Sequence, residues 1–297
     1  MPCDVDTCET CSVTEALRRN VSAGHETAAE IARENPDARV ESCFLDLASL
    51  ASVRGFVRAS VCDRPLTALV HNAGVMAPPF TTTTDGHELT FQVNHLAPSY
   101  LTNLLLPNLQ KARRETGETS RVVLVSSGAH RWASARGKKG AAGELTSGAG
   151  VASHGGQIER RHWALRRWGA YGKSKLCNVL YAAELTRRYG VGVADAAGIV
   201  GVAVRPGTVQ TGIARHNWLL RAILSVARPV LTTVEEAGDA VAHAVTDPDI
   251  VPGGYYNLKV LTPPSPVAQD RDLQTALWEA TQGILGSGED LDRSVDT

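Results

Sequence analysis

Apolar runs and helical periodicities alternate along this chain from residue 22 onward, and their order predicts its layers. Ser22 opens a helical pattern through about Glu34, with alanines and Ile31 on one face and Asn35-Pro36 ending it. Val40 to Leu45 reads as a short strand, Leu50 to Val61 as an amphipathic helix, and Thr67 to His71 as a second strand entering Asn72-Ala73-Gly74. Helix is predicted from Asp85 to Gln110, then the almost wholly apolar strand Arg121 to Ser126. Ala170 to Tyr189 is a helix, and Ile199 to Val204 is a strand stopped by Pro206-Gly207. Glu235 to Val245, Gly254 to Leu258 and Leu273 to Leu285 follow as helix, strand and helix.

Strands that are apolar throughout, each followed by a helix, imply a parallel sheet covered on both faces. Right-handed crossovers then give a doubly wound, three-layer α/β fold with its site at the carboxyl ends of the strands. No repeat or linker divides the chain, so a single domain is expected over residues 18–285. Residues 131–167, rich in Gly, Ala and Arg with little periodicity, read as a surface insertion. Residues 1–17 and the polar tail 286–297 are expected to be disordered.

Composition narrows the partners. With 297 residues, 43% hydrophobic and a formal net charge of -1, the chain has the balance of a globular enzyme and no basic field for nucleic acid or an anionic membrane. No apolar run approaches the roughly 20 residues needed to cross a bilayer, and Met1 to Cys11 is too polar for a secretory signal, so a cytoplasmic protein is expected. Cys8-Glu9-Thr10-Cys11 has metal-binding spacing, but no second CxxC or His pair completes a tetrahedral site. These cysteines read as free thiols and no metal is expected; Cys43, Cys62 and Cys177 read as small core hydrophobes.

The chemistry sits on one helix and three strand ends. Tyr171-Gly-Lys-Ser-Lys175 places a phenol and an ammonium at i and i+4, on one helix face. A nearby cation favours the phenolate and lowers a tyrosine's pKa, allowing proton exchange with a carbonyl or alcohol oxygen near neutral pH. Alone, the pair could equally be a surface helix contact. Val122-Val-Leu-Val-Ser126-Ser127, however, ends an apolar strand in hydroxyls able to hold a substrate oxygen. Asn72-Ala73-Gly74 and Pro206-Gly207 end two further strands in small-residue turns that let backbone approach a ligand.

In this order the motifs resemble the short-chain dehydrogenase/reductase superfamily, nearest its retinol dehydrogenase and WW-domain oxidoreductase-like branch. The matching stretches include Arg19-Asn20-Val21, Leu45-Asp46-Leu47, Asn72-Ala73-Gly74-Val-Met76, Phe91-Gln-Val-Asn94-His95-Leu96, Ser126-Ser127-Gly-Ala-His130, Tyr171-Gly-Lys-Ser-Lys175-Leu, Pro206-Gly207 and Leu277-Trp278-Glu279. The resemblance covers about residues 18–285 and implies a Rossmann-like fold and an oxidoreductase interconverting a carbonyl and an alcohol on a small molecule. It implies that Tyr171 is the general acid/base, that Lys175 lowers its pKa and binds the nicotinamide ribose, and that Ser127 polarises the substrate oxygen. Asn94 would kink its helix and anchor a water. Asp46 and Leu47 would meet the adenine, Asn72, Ala73 and Gly74 line the cofactor, and Pro206, Gly207, Val209 and Thr211 border the nicotinamide. Arg19, with Arg18, matches the position gripping a 2′-phosphate, which favours NADP(H) over NAD(H). The resemblance also implies a homo-oligomer paired through the family's long helices. The apolar segment from Ile213 to Val234 would be a lid, implying a hydrophobic substrate.

The sequence departs from the family at its start. Residues 1–17 contain no glycine, whereas the family opens with a strand, a glycine-rich turn and a helix whose N-terminus receives the pyrophosphate. Loss of that central strand would leave a gap of about 10 Å, at roughly 4.8 Å per strand step. Val13 to Leu17 could supply the family's second strand or slide toward the vacancy, although Glu15 would place a charge in the sheet. Three explanations stand: a misplaced start or exon boundary, which is expected; a folded relative impaired in cofactor binding; and a fold reused for another purpose, regulatory or non-redox. Pro98, after Asn94-His95-Leu96-Ala97, removes a helical N–H and is expected to kink the helix.

Overall fold

A computed structural model of the chain describes residues 13–18, 20–60, 64–133, 145, 160–192, 198–208 and 232–286. Strand β1 (Val13–Arg18) is followed by α1 (Val21–Glu34), β2 (Arg39–Phe44), α2 (Leu50–Ser60) and β3 (Ala68–His71). A short helix α3 (Leu89–Phe91) passes through a π turn (Gln92–Leu96) into α4 (Ala97–Thr116), then β4 (Ser120–Val125). The remainder is α5 (Arg160–Tyr189), β5 (Ile199–Arg205), α6 (Val234–Thr246), β6 (Tyr255–Asn257), β7 (Val260–Leu261) and α7 (Arg271–Leu285).

The strands form two sheets. β3, β4, β5 and β6 pair in parallel in that order, and β7 adds an antiparallel edge. β1 and β2 pair in parallel with each other. Among the described residues no strand joins the two sheets. Val13–Arg18 is therefore ordered strand, correcting the disorder expected through residue 17, and it bonds to β2 as a second strand would. A strand pair recovers the backbone hydrogen bonds that a disordered segment would give to water.

Side chains on β4 and β5 alternate between two buried layers, as a period of two requires. Val122, Leu124, Ile199 and Ala203 face the core shared with Leu101, Leu105, Leu176, Leu180 and Leu277, while Val123, Val200, Val202 and Val204 pack against Ala240 and Ala244 of α6. Gly201 allows α5 to lie directly on β5, because a Cβ there would come within 2.3 Å of the Ala182 carbonyl oxygen. Coverage thins at β3, where Val70 is 39% exposed although Leu69 and His71 on the other face are buried.

Several boundaries move for identifiable reasons. α1 is capped by Asn20, whose side chain accepts the Ala23 N–H, and not by Ser22. The helix expected from Asp85 begins at Leu89 and is interrupted by the π turn; Glu88 caps its start by accepting the Thr90 and Phe91 N–H groups. Pro98 falls just after that π turn, which accommodates the imide without breaking the helix. α5 begins at Arg160, so the end of the expected 131–167 insertion is helix. Residues 134–144, 146–159 and 287–297 lie outside the described residues, as do Cys3, Cys8, Cys11 and Cys62. No described helix is long and apolar enough to cross a membrane.

Candidate active site

The carboxyl ends of β3, β4 and β5 and one face of α5 meet at a common point. Tyr171 and Lys175 are both buried, at 7% and 4% exposure, with the Lys175 Nζ 5.8 Å from the centre of the Tyr171 ring. Trp168, one turn earlier on the same face, meets Tyr171 edge-on at 6.4 Å. Ser127, at the end of β4, lies close enough to Tyr171 for its side chain to favour the phenolate. Its hydroxyl also accepts the Ala129 N–H at 3.2 Å, capping the 3-10 turn Gly128–Trp132.

Asn94 pins the opposite wall. Its Oδ1 accepts the Val75 N–H at 2.8 Å, and its Nδ2 donates to the Val75 carbonyl and to Ser174 Oγ, both at 3.0 Å. Ser174 Oγ donates to the Tyr171 carbonyl at 2.8 Å. One buried amide therefore fastens the turn after β3 to the helix bearing Tyr171. Gly74 fits between them: a Cβ would approach Asn94 Oδ1 to 3.1 Å and Lys175 Nζ to 3.4 Å.

The electrostatics differ from the simplest expectation. Burial pushes the Tyr171 phenol above its usual value, and the Ser127 side chain offsets part of that rise. The Lys175 ammonium donates to the Val125 carbonyl at 2.8 Å, and burial pushes its pKa down to about 8. The expected net lowering of Tyr171 by Lys175 is thus not found: burial dominates, Ser127 opposes it, and the Lys175 ammonium is turned onto the end of β4. Ser126 Oγ donates to the Lys175 carbonyl at 2.8 Å, and Asn178 Nδ2 shares the Val125 carbonyl at 3.1 Å. Sequence reasoning missed Ser174, Asn178 and Ser126 as supports, although Ser174 and Asn178 follow Tyr171 and Lys175 by three residues, on the same face.

The positions matched to cofactor contacts lie at strand ends. Asn72 and Ala73 are exposed after β3, and Pro206 and half-buried Gly207, at φ +82°, follow β5. Asp46 and Leu47 follow β2, where Asp46 Oδ1 accepts the Ala48 N–H at 2.9 Å. This turn reaches the site through Gln92, whose Nε2 donates to the Leu47 carbonyl at 3.4 Å and to Asp85 Oδ2 at 2.6 Å, two residues before Asn94. Arg18 ends β1, its side chain outside the description; Arg19, Val209 and Thr211 also lie outside the described residues.

No family model matches the chain. It is 32% identical over 271 residues to the WW domain-containing oxidoreductase of Gallus gallus, covering 90% of this chain and 60% of that protein. It is likewise 32% identical over 271 residues to retinol dehydrogenase 12 of Homo sapiens, covering 77% of that protein. The chain thus spans about three-fifths of the WW domain-containing relatives it matches. Among solved structures, an uncharacterized protein from Mycobacterium paratuberculosis superposes with a TM-score of 0.62 at 26% identity, over 91% of this chain and 82% of that one. The NADPH-bound carbonyl reductase from chicken fatty liver superposes at 0.52 and 21% identity, over 82% and 84%, a likeness of fold. With Ser127, Tyr171 and Lys175 brought together at the strand ends and these relatives spanning nine-tenths of the chain, the protein belongs to the short-chain dehydrogenase/reductase superfamily, in the branch of the retinol dehydrogenases and WW domain-containing oxidoreductases.

Proposed function

We propose that this protein interconverts a carbonyl and an alcohol on a small hydrophobic molecule with a nicotinamide cofactor, NADP(H) in preference to NAD(H). The observation that carries the reading is the convergence of Ser127, Tyr171, Lys175 and Asn94 at one point beneath exposed strand-end backbone. Ser127 would hold the substrate oxygen, and Tyr171 would give its proton to that oxygen in reduction and take it back in oxidation. Lys175, turning from the Val125 carbonyl, would lower the phenol's pKa and hold a ribose hydroxyl. Asn94 would keep the 72–75 turn and Tyr171 in register.

The nicotinamide end of the cofactor fits the residues present: Gly74 leaves room beside Lys175 that a Cβ would fill, and the preceding Asn72 and Ala73 are exposed. Bound there, the nicotinamide would supply or receive the hydride. Asp46 and Leu47 would take the adenine end, and Arg18 with Arg19 a 2′-phosphate. A backbone cradle for the pyrophosphate is not among the described residues, and the separation of β1–β2 from the main sheet favours a second reading, a binding or regulatory protein on the same fold.

Thermal-shift titration with NADPH and NADH separates the two. The enzyme reading expects saturable stabilisation of about 2.7 kcal/mol at about 100 times the dissociation constant, at lower concentration for NADPH. No shift with either nucleotide at millimolar concentration would favour the second reading.

A further inference from the structure

His130 lies three residues beyond Ser127, fully buried, with both ring nitrogens engaged. Its Nδ1 is 2.7 Å from the Ser127 carbonyl oxygen, and its Nε2 is 3.1 Å from the Ser265 backbone nitrogen. A backbone N–H can only donate, so Nε2 must carry the lone pair and the proton must sit on Nδ1, directed at the Ser127 carbonyl. A charged imidazole would set two N–H groups against each other at Ser265. Burial also lowers the His130 pKa, with the Ser127 carbonyl opposing that shift and Arg131 and Arg205 adding to it. The ring packs on Tyr255 with centroids 4.8 Å apart.

Ser127 is consequently held from three directions. Its carbonyl receives the His130 ring N–H and the His130 backbone N–H, the latter at 3.2 Å, and its hydroxyl receives the Ala129 N–H. The neighbouring Arg131 donates to the Pro263 carbonyl at 2.7 Å, so two successive residues of the same turn grip the 263–265 segment ahead of α7. The placement of the Ser127 hydroxyl against Tyr171 is thereby tied to a segment remote in sequence.

We propose that His130 is a positioning residue: as the Nδ1–H tautomer it fixes Ser127 in its geometry toward Tyr171 and couples it to residues 263–265. The proposal rests on the catalytic reading of Ser127 and Tyr171 above. A histidine that only filled the core would contribute stability without acting through Ser127.

Three measurements on the full chain test it. Nitrogen-15 chemical shifts of the His130 ring, assigned by their loss in His130→Asn, should show a proton on Nδ1 and none on Nε2 at neutral pH; the opposite tautomer or a charged ring overturns the proposal. The carbon-13 resonance of the Tyr171 Cζ, assigned through Tyr171→Phe, should move alike in His130→Ala and Ser127→Ala, and no further when both are made. This readout needs no turnover. In kinetics, His130→Ala should lower kcat by about tenfold to a hundredfold with KM little changed, and by less than about twofold in a Ser127→Ala background. His130→Asn, whose amide can still donate toward the Ser127 carbonyl, should recover most of the loss and covers the case in which the alanine variant fails to fold. Equal losses in both backgrounds, or an unmoved Tyr171 resonance, would overturn the positioning role. Full turnover in Ser127→Ala would instead defeat the catalytic reading while leaving the tautomer standing.

Discussion

Two histidines buried beside the site make the fold acid-sensitive in a calculable way. His71, at the end of β3, places Nε2 2.8 Å from Thr102 Oγ1, and His95, in the π turn, places Nε2 3.1 Å from Thr281 Oγ1. Burial pushes His71 from 6.5 down to about 4 and His95 from 6.5 down to about 3. The folded state therefore binds fewer protons than the unfolded chain below pH 6.5, so stability falls as pH drops through that value and levels off only below the folded pKa values. Between about pH 7.5 and pH 5 both rings stay neutral when folded and protonate when unfolded. The loss is then set by the 1.5 units below the ordinary pKa, about 2 kcal/mol for each histidine and about 4 for both, against a total stability of about 5–15 kcal/mol. That figure barely depends on how far below 5 the folded values lie. Urea unfolding of the wild type, His71→Gln and His95→Gln at the two pH values checks it. Each variant should lose about 2 kcal/mol less on acidification than the wild type. An identical pH dependence in all three proteins, or ring resonances titrating near 6.5 in the folded state, would refute the reasoning.

Further expectations concern the wall opposite Ser127. Gly74→Ala should lower the melting temperature only slightly but lower kcat/KM by about tenfold or more, since a methyl at 3.1 Å from Asn94 Oδ1 must shift that amide by a few tenths of an ångström and fills the space in front of Lys175; unaltered kinetics would mean the turn does not border the reacting groups. Asn94→Ala removes three hydrogen bonds, one buried and two part-buried, and should cost about 3 kcal/mol by urea unfolding, with Val75 and Ser174 losing hydrogen-exchange protection. A loss below about 0.5 kcal/mol would show that the amide is not the fastener between turn and helix.

The sheet and the site's parts were legible because they are written locally. β4 and β5 are apolar runs that can only be buried, and Ser127, Gly74 and Gly207 stand at strand ends where a parallel sheet brings its site. Other features depend on partners far along the chain. The π turn is held through Asn94 by Val75 and by Ser174, which lies 80 residues away, so no local period announces it. Val13–Arg18 carries little strand pattern and is ordered by pairing with Arg39–Phe44. The anchor role of His130 required Ser265, 135 residues later, and the upward push on Tyr171 required knowing how deeply α5 buries it.

The hydride-transfer role of the site is tested most directly by single-turnover reduction of a carbonyl probe with deuterated NADPH, comparing the wild type with Tyr171→Phe at matched melting temperature. Label should reach the product with the wild type, and its rate of transfer should fall by about a hundredfold to ten-thousandfold when the phenol's proton is removed. Equal rates of label transfer in the two proteins would contradict the assignment of Tyr171 as the proton donor and with it the proposed reaction.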